Sequence, residues 1–241
     1  MAPKISAILA AGGRGTRFAA PGTDALPKQF IELKGYPIFV WSLEALLSSP
    51  AVADAIIVSP PDMVTNVKHH LDRVRHRLHD KSVHVVPGGA TRQESVYLGL
   101  LSLEERQPDY VLVHDAARPF LTTDILDRFV VQMIEKGACS TAIGVTDTIK
   151  RVEGSQVVET IDRESLMLVQ TPQGGRFDWL LSAHKQAARD EKATTDDAAI
   201  LEMSGHQVSI VGGAAYNIKI TRQEDLVLAD ALASILFTDR L

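Results

Sequence analysis

The residues best suited to chemistry stand in and just after one glycine-broken stretch, ILAAGGRGTRFAAPGTDALPKQF, residues 8–30. An apolar run ends in Ala10, Ala11 and Gly12. Further glycines follow at Gly13 and Gly15, and Arg14, Arg17 and Lys28 supply fixed or nearly fixed positive charge. Small residues let backbone N–H groups approach a polyphosphate closely, and cations behind them neutralise it. Two common phosphate motifs are excluded. There is no GxxxxGK[ST] run, and Gly13-x-Gly15-x-x-Phe18 lacks the third glycine of a dinucleotide loop and carries cations where the ribose needs an acid.

Three more loops join this stretch: GGATRQES from Gly88 to Ser95, HDAARP from His114 to Pro119, and NIKIT from Asn217 to Thr221. Together they gather Arg17, Lys28, Arg118 and Lys219 around one acid, Asp115. The mixture suits a metal polyphosphate, because a carboxylate is a hard oxygen ligand for Mg²⁺ while cations take the remaining oxygens. His114, at a strand end, reads as a local hydrogen-bonding residue that holds its loop. Thr195, Asp196 and Asp197 read as a helix cap and an acidic first turn.

The elements that must position these loops follow from periodicity. Buried strands are expected at Lys4–Leu9, Ala55–Ser59, Val83–Val86, Tyr110–His114 and Ser140–Val145, with a further strand at Gln207–Val211. Helices are expected from Pro37, from Asp62 as a cap through Leu78, through Val96 to Leu103, and from Thr122 or Thr123 to a C-terminal Gly137. Others cover Phe177–Ala188, Thr195–Met203 and Arg222–Leu236. The basic face between Lys68 and His79 reads as solvated, and Trp41 and Trp179 read as core. Strands alternating with helices imply a parallel sheet covered on both faces, with the four loops at the strands' carboxyl ends, where open α/β sheets bind ligands. Residues 146–168 break the rhythm with short alternating segments around Glu153-Gly154. They read as a β-arm with too few apolar residues to stand alone, which packs on a second subunit.

At 241 residues the chain reads as one domain, 1–241, with the arm as an excursion. Hydrophobic content of 45%, charged content of 23% and mean hydropathy of +0.03 describe a globular, cytoplasmic protein with no membrane partner. A net charge of −5 supplies no field for a nucleic acid. The single cysteine, Cys139, excludes an internal disulfide and a cysteine zinc site, and reads as an inert buried thiol.

The runs LAAGGRGTRF, PKQF, GGATRQESV, VLVHDAARPF, DTIKR, TPQ (Thr171 to Gln173), TDDAA and NIKIT closely resemble the 2-C-methyl-D-erythritol 4-phosphate cytidylyltransferase family, in the family's order and over nearly the whole chain. The resemblance implies a Rossmann-like α/β fold, mostly parallel with helices on both faces, and a CTP-dependent transferase of isoprenoid synthesis. It implies that Ala10, Ala11, Gly12, Gly89 and Ser95 hold the cytidine, and that Arg17, Lys28 and Lys219 serve the triphosphate and the transition state. It places Asp115 by Mg²⁺ and assigns Arg118, Thr148, Arg163 and Lys219 to the methylerythritol phosphate. Thr148 then comes from the partner's arm in a homodimer, in agreement with the arm's own composition. Ala90 departs from relatives that carry an acid there, which matters little if the contact is by backbone.

A related group, the ribitol 5-phosphate cytidylyltransferases, departs from alanines in the segments matching Ala116-Ala117 and Asp197-Ala198-Ala199, which this chain keeps. The other alternative, a catalytically silent nucleotide-binding subunit, does not need the cations retained here. The chain is expected to be monofunctional, and Arg14 is expected to be peripheral or exposed.

Overall fold

The computed structural model describes residues 3–13 and 27–237. Chain order begins with β1 (Ile5–Ala10), the short pair β2 (Glu32–Leu33) and β3 (Tyr36–Pro37), α1 (Ile38–Ser48), β4 (Val52–Ser59), α2 (Val64–Arg73) and β5 (Ser82–Pro87). It continues with α3 (Arg92–Leu101), β6 (Tyr110–Asp115), α4 (Thr123–Lys136), β7 (Ala138–Gly144), β8 (Ile149–Glu153) and β9 (Gln156–Ile161). The last part holds β10 (Met167–Arg176), α5 (Phe177–Arg189), α6 (Asp197–Met203), β11 (Ser209–Gly212) and α7 (Glu224–Leu236).

The main sheet has seven strands in the order β11-β7-β10-β6-β1-β4-β5, parallel except for β10, which runs antiparallel to both neighbours. Alternation along β1 divides the core. Ile5, Ala7 and Leu9 join Phe39, Leu46 and Phe129 on one face, while Ile8 joins Val58, Val96 and Leu180 on the other. A third cluster forms where Trp41 stacks on Phe237 at 4.1 Å. The mostly parallel sheet with helices on both faces is therefore as the sequence implies.

Four features differ from the sequence expectations. The unexpected strand β10 occupies the sheet's interior although its sequence, MLVQTPQGGR, contains proline and two glycines. The glycines are needed there: a Cβ at Gly174 would collide with the Val111 carbonyl oxygen, and one at Gly175 would lie 2.7 Å from that of Gly137. The periodic helix expected through Leu78 ends at Arg73 and passes into a 3₁₀ turn at Arg75–Arg77. Asp62 lies in the preceding 3₁₀ turn, and neither that turn nor α2 has a side-chain cap. Arg77, read as part of a solvated face, is mostly buried, bonded to Glu44 at 2.9 Å and lying over the rings of Tyr36 and Trp41.

Trp41 is core, whereas Trp179 is half-buried and stacks on His206 at 4.3 Å. Gly137 ends α4 with φ of 86°. The arm is present as the antiparallel pair β8–β9, with Gly154 at φ 59° in its turn and Val152, Val157 and Val158 exposed. Among the described residues no helix is long and apolar enough to cross a membrane.

Candidate functional site

The carboxyl ends of β1, β4, β5 and β6 lie side by side, and backbone bonds knit the loops leaving them. Ala11 N–H donates to Val58 O, Gly88 N–H to Ser59 O and Ala116 N–H to Ala10 O. Above them opens a cavity of about 360 Å³ whose lining includes Gly12, Lys28, Arg92, Ser95, Asp115 and Lys219. A larger groove, of about 770 Å³ beside edge strand β5, shares no residue with it.

The glycine-loop end of the cavity depends on close packing of small groups. The Ser95 hydroxyl accepts from Gly89 N–H at 3.2 Å and donates to Thr91 O at 2.8 Å. It sits against both glycine loops, so a Cβ at Gly12 or at Gly88 would come within 2.7 Å of it. Thr91 caps α3 by accepting from Glu94 N–H at 3.0 Å, and the Glu94 carboxylate reaches back to Ala90 N–H at 2.7 Å. The Ala90 N–H is thus bound within its own loop.

Lys28 begins a 3₁₀ turn that is tied to the opening loop by its neighbour. The buried Gln29 carboxamide donates to Ala11 O at 2.6 Å and to Gly13 O at 2.9 Å. Because the peptide unit is trans, holding the Ala11 carbonyl turns the Gly12 N–H the opposite way. Arg17 and Arg14 lie outside the described residues.

The charged end centres on Asp115, which is 6% exposed. Its Oδ1 accepts from Arg92 Nε at 2.9 Å, and its Oδ2 lies 2.7 Å from Lys219 Nζ and 3.8 Å from Arg118 Nε. Burial alone would raise the pKa of this carboxyl. Arg92, Lys219 and Arg118 together override that and hold it well below the usual carboxylate range. Arg118 also donates to Asn217 O at 2.8 Å, and Ile220 N–H donates to Ala117 O, so the HDAARP and NIKIT loops form one unit.

His114 supports this unit from below. Fully buried, it places Nε2 3.0 Å from Arg118 O and Nδ1 3.0 Å from the Thr171 hydroxyl, which also accepts Asp115 N–H at 3.1 Å. A carbonyl can only accept, so Nε2 carries the proton and Nδ1 accepts from Thr171. Burial pushes its pKa down to about 4, which keeps the ring neutral. Its loop-holding role is the one the sequence suggested.

Sequence reasoning missed three supports. Arg92 lies within the quoted GGATRQES run, yet drew no assignment. Its Nη2 donates at 2.8 Å to Asp197, which is fully buried and faces His184 at 3.4 Å. Asp197 lies in the first turn of α6 as expected, but buried, with its charge matched by Arg92, and Asp196 caps α6 through Ala199 N–H. Gln173 bridges the segments by donating to Asp196 at 2.9 Å and accepting from the N–H groups of Asp197 and Ala198. Gln29 is the third support.

Thr148 and Arg163, by contrast, are exposed at the base of the arm, where Arg163 donates to Thr146 O, and neither lines the cavity.

Residues 5–234 match the family described as 2-C-methyl-D-erythritol 4-phosphate cytidylyltransferase, IspD. The chain belongs to this family. An IspD relative from Pelotomaculum thermopropionicum is 40% identical over 95% of this chain and 94% of its own length. A bifunctional IspD/IspF enzyme of Rhodopseudomonas palustris (strain HaA2) is 43% identical over 92% of this chain, which spans only 54% of that enzyme. The chain likewise spans little more than half the length of other bifunctional relatives. Among solved structures, the 4-diphosphocytidyl-2C-methyl-D-erythritol synthase of Anaerococcus prevotii superposes with a TM-score of 0.82 at 27% identity, covering 97% of this chain and all of its own. The IspD enzyme of Thermus thermophilus gives 0.78 at 31% identity, covering 96% of this chain and all of its own.

Whether the site suits a divalent metal follows from its donors. Among the described residues no group of three or more His, Cys, Asp or Glu could hold a metal ion. Asp115 is one carboxylate already surrounded by three cations, a poor seat for a bare cation. It suits a metal that arrives with its own phosphate oxygens, with one lone pair of Asp115 completing the set.

Proposed function

We propose that the chain joins CTP to 2-C-methyl-D-erythritol 4-phosphate, releasing pyrophosphate and giving 4-diphosphocytidyl-2-C-methyl-D-erythritol. The observation that carries this reading is the Asp115 cluster, with Lys219, Arg118 and Arg92 converging at the mouth of a loop cavity built for a nucleotide, in a member of the IspD family.

The substrate phosphomonoester, with a second pKa near ~6, is mostly a dianion at neutral pH and needs no strong base. One of its oxygens attacks the α-phosphorus of CTP, and the bond from that phosphorus to the bridging oxygen breaks. The barrier is repulsion between two polyanions and the charge that grows on the departing pyrophosphate. Lys28 and Lys219, which line the cavity, meet that charge already in place, and Arg17 is assigned to the same task. One such donor is typically worth about 10²–10³ in rate. Magnesium, held by Asp115 and the phosphates, would supply further neutralisation of the triphosphate.

Ala10, Ala11, Gly12, Gly89 and Ser95 hold the cytidine, and Arg118 and Lys219 hold the second phosphate. Thr148 and Arg163 serve the site of a second copy through the 146–168 arm, so the working form is a homodimer. The three exposed valines of the arm support that assembly. The cytoplasmic location expected from composition belongs to the same proposal.

The test is pyrophosphate release from CTP and Mg²⁺ with methylerythritol phosphate or ribitol 5-phosphate as acceptor. Preference for the first is expected. Preference for ribitol 5-phosphate, or nucleotide binding with no turnover of either, overturns the reading.

A further inference from the structure

Arg92 joins two acids that belong to different layers of the molecule. It opens α3 directly after the Thr91 cap, and its side chain is 27% exposed, facing the cavity it helps to line. One nitrogen, Nη2, meets Asp197, a fully buried carboxylate that cannot easily shift. The backbone N–H of Asp197 is held by Gln173 of β10, and its second oxygen faces His184 of α5. The other nitrogen, Nε, meets Asp115 Oδ1 at the end of β6.

A planar guanidinium gripping one carboxylate oxygen restricts the carboxylate's rotation and so sets where the other oxygen points. That other oxygen, Oδ2, is the one 2.7 Å from Lys219 Nζ. Lysine carries its charge on a flexible four-carbon stem and needs such a restraint to be in place before the reaction. The chain of contacts runs from the interior at Asp197, through Arg92 and Asp115, to the ammonium at the cavity wall.

We infer that Arg92 is a positioning residue for the transfer: its bridge between Asp197 and Asp115 fixes Asp115, and through it the Lys219 ammonium, at the place where the phosphates react. This rests on the cytidylyltransferase reading above. A residue that merely neutralised Asp197 would need only a positive charge, and lysine would serve as well. The bridge needs the fork, because an ammonium is a point charge that reaches one of the two carboxylates and leaves the other unheld.

Arg92→Lys separates these roles. For the bridge, kcat with CTP and methylerythritol phosphate falls at least about tenfold while KM for CTP moves less than about threefold. In the crystal structure of the variant, Lys219 no longer rests on Asp115 Oδ2. An unchanged kcat, a loss confined to KM for CTP, or an unchanged Lys219–Asp115 contact overturns the inference. If wild-type protein turns over neither acceptor, the functional reading fails, and the crystal structure alone decides whether Arg92 fixes Lys219. Should Arg92→Lys not fold, Asp197→Asn, which keeps the shape and removes the charge, is judged by the same two measurements.

Discussion

The ammonium of Lys219 lies 2.7 Å from the Asp115 carboxylate, although 104 residues, 219 minus 115, separate them in sequence. The contact closes a cluster in which three cations, Arg92, Arg118 and Lys219, outnumber the two carboxylates Asp115 and Asp197. A surplus of positive charge, partly desolvated, favours a bound polyanion. Lys219→Ala should therefore lower kcat by about 10²–10³. Arg92 and Arg118 still pair Asp115 in this variant, so its melting temperature should stay close to that of the wild type. Steady-state kinetics with a thermal melt checks this, and a fully active variant would remove Lys219 from the reaction.

Lys28 and Gln29 stand side by side with different duties. Lys28→Ala should lower turnover at least about tenfold without unfolding the protein, since Lys28 lines the cavity. Gln29→Leu should instead lower both turnover and stability. It leaves the carbonyls of Ala11 and Gly13 without their donor, and the buried one, of Ala11, costs about 1–3 kcal/mol when unpaired. Denaturant midpoints measured beside kcat distinguish the two patterns. Equal loss of stability in both variants would contradict the assignment.

The parallel frame and the first three loops were legible because apolar runs and turns alternate regularly between residues 5 and 145. The strand β10 was not, for the residues that mark turns elsewhere serve here to let backbones approach, as Gly174 does against Val111. Arg92 and Asp197 were hidden for a different reason. Charged side chains read as surface until their partners are known, and these two meet across 105 residues of sequence. Arg77 shows the same limit on a smaller scale: its helical neighbours are solvated, but the end of α2 directs it onto two aromatic rings. The glycine loops of the site were legible as motifs, while their bracing by Gln29, Thr171 and Gln173 is purely a product of folding.

Cys139 lies in β7 with no exposure, and burial pushes its thiol pKa up to about 12. The reactive thiolate is therefore scarce at pH 8 and also shielded. Native protein should react with an aromatic disulfide reagent no faster than it opens, and denatured protein should give one thiol per chain at once. Rapid labelling of the native protein would show that β7 is accessible.

The arm makes the most demanding prediction. If Thr148 and Arg163 complete the site of a second copy, then Arg163→Ala and Lys219→Ala damage different halves of each composite site. Each variant alone should be nearly inactive. Mixed in equal amounts and allowed to exchange subunits, half of the dimers become hybrids, and in each hybrid one of two sites regains both residues. Activity should then rise to about a quarter of the wild-type value. Val157→Asp with Val158→Asp, which places charge on the exposed arm, should abolish this recovery and leave a monomer in sedimentation. If the mixture stays inactive while dimers exchange freely, Arg163 either serves its own chain or serves no site, and the arm's role in the reaction falls with it.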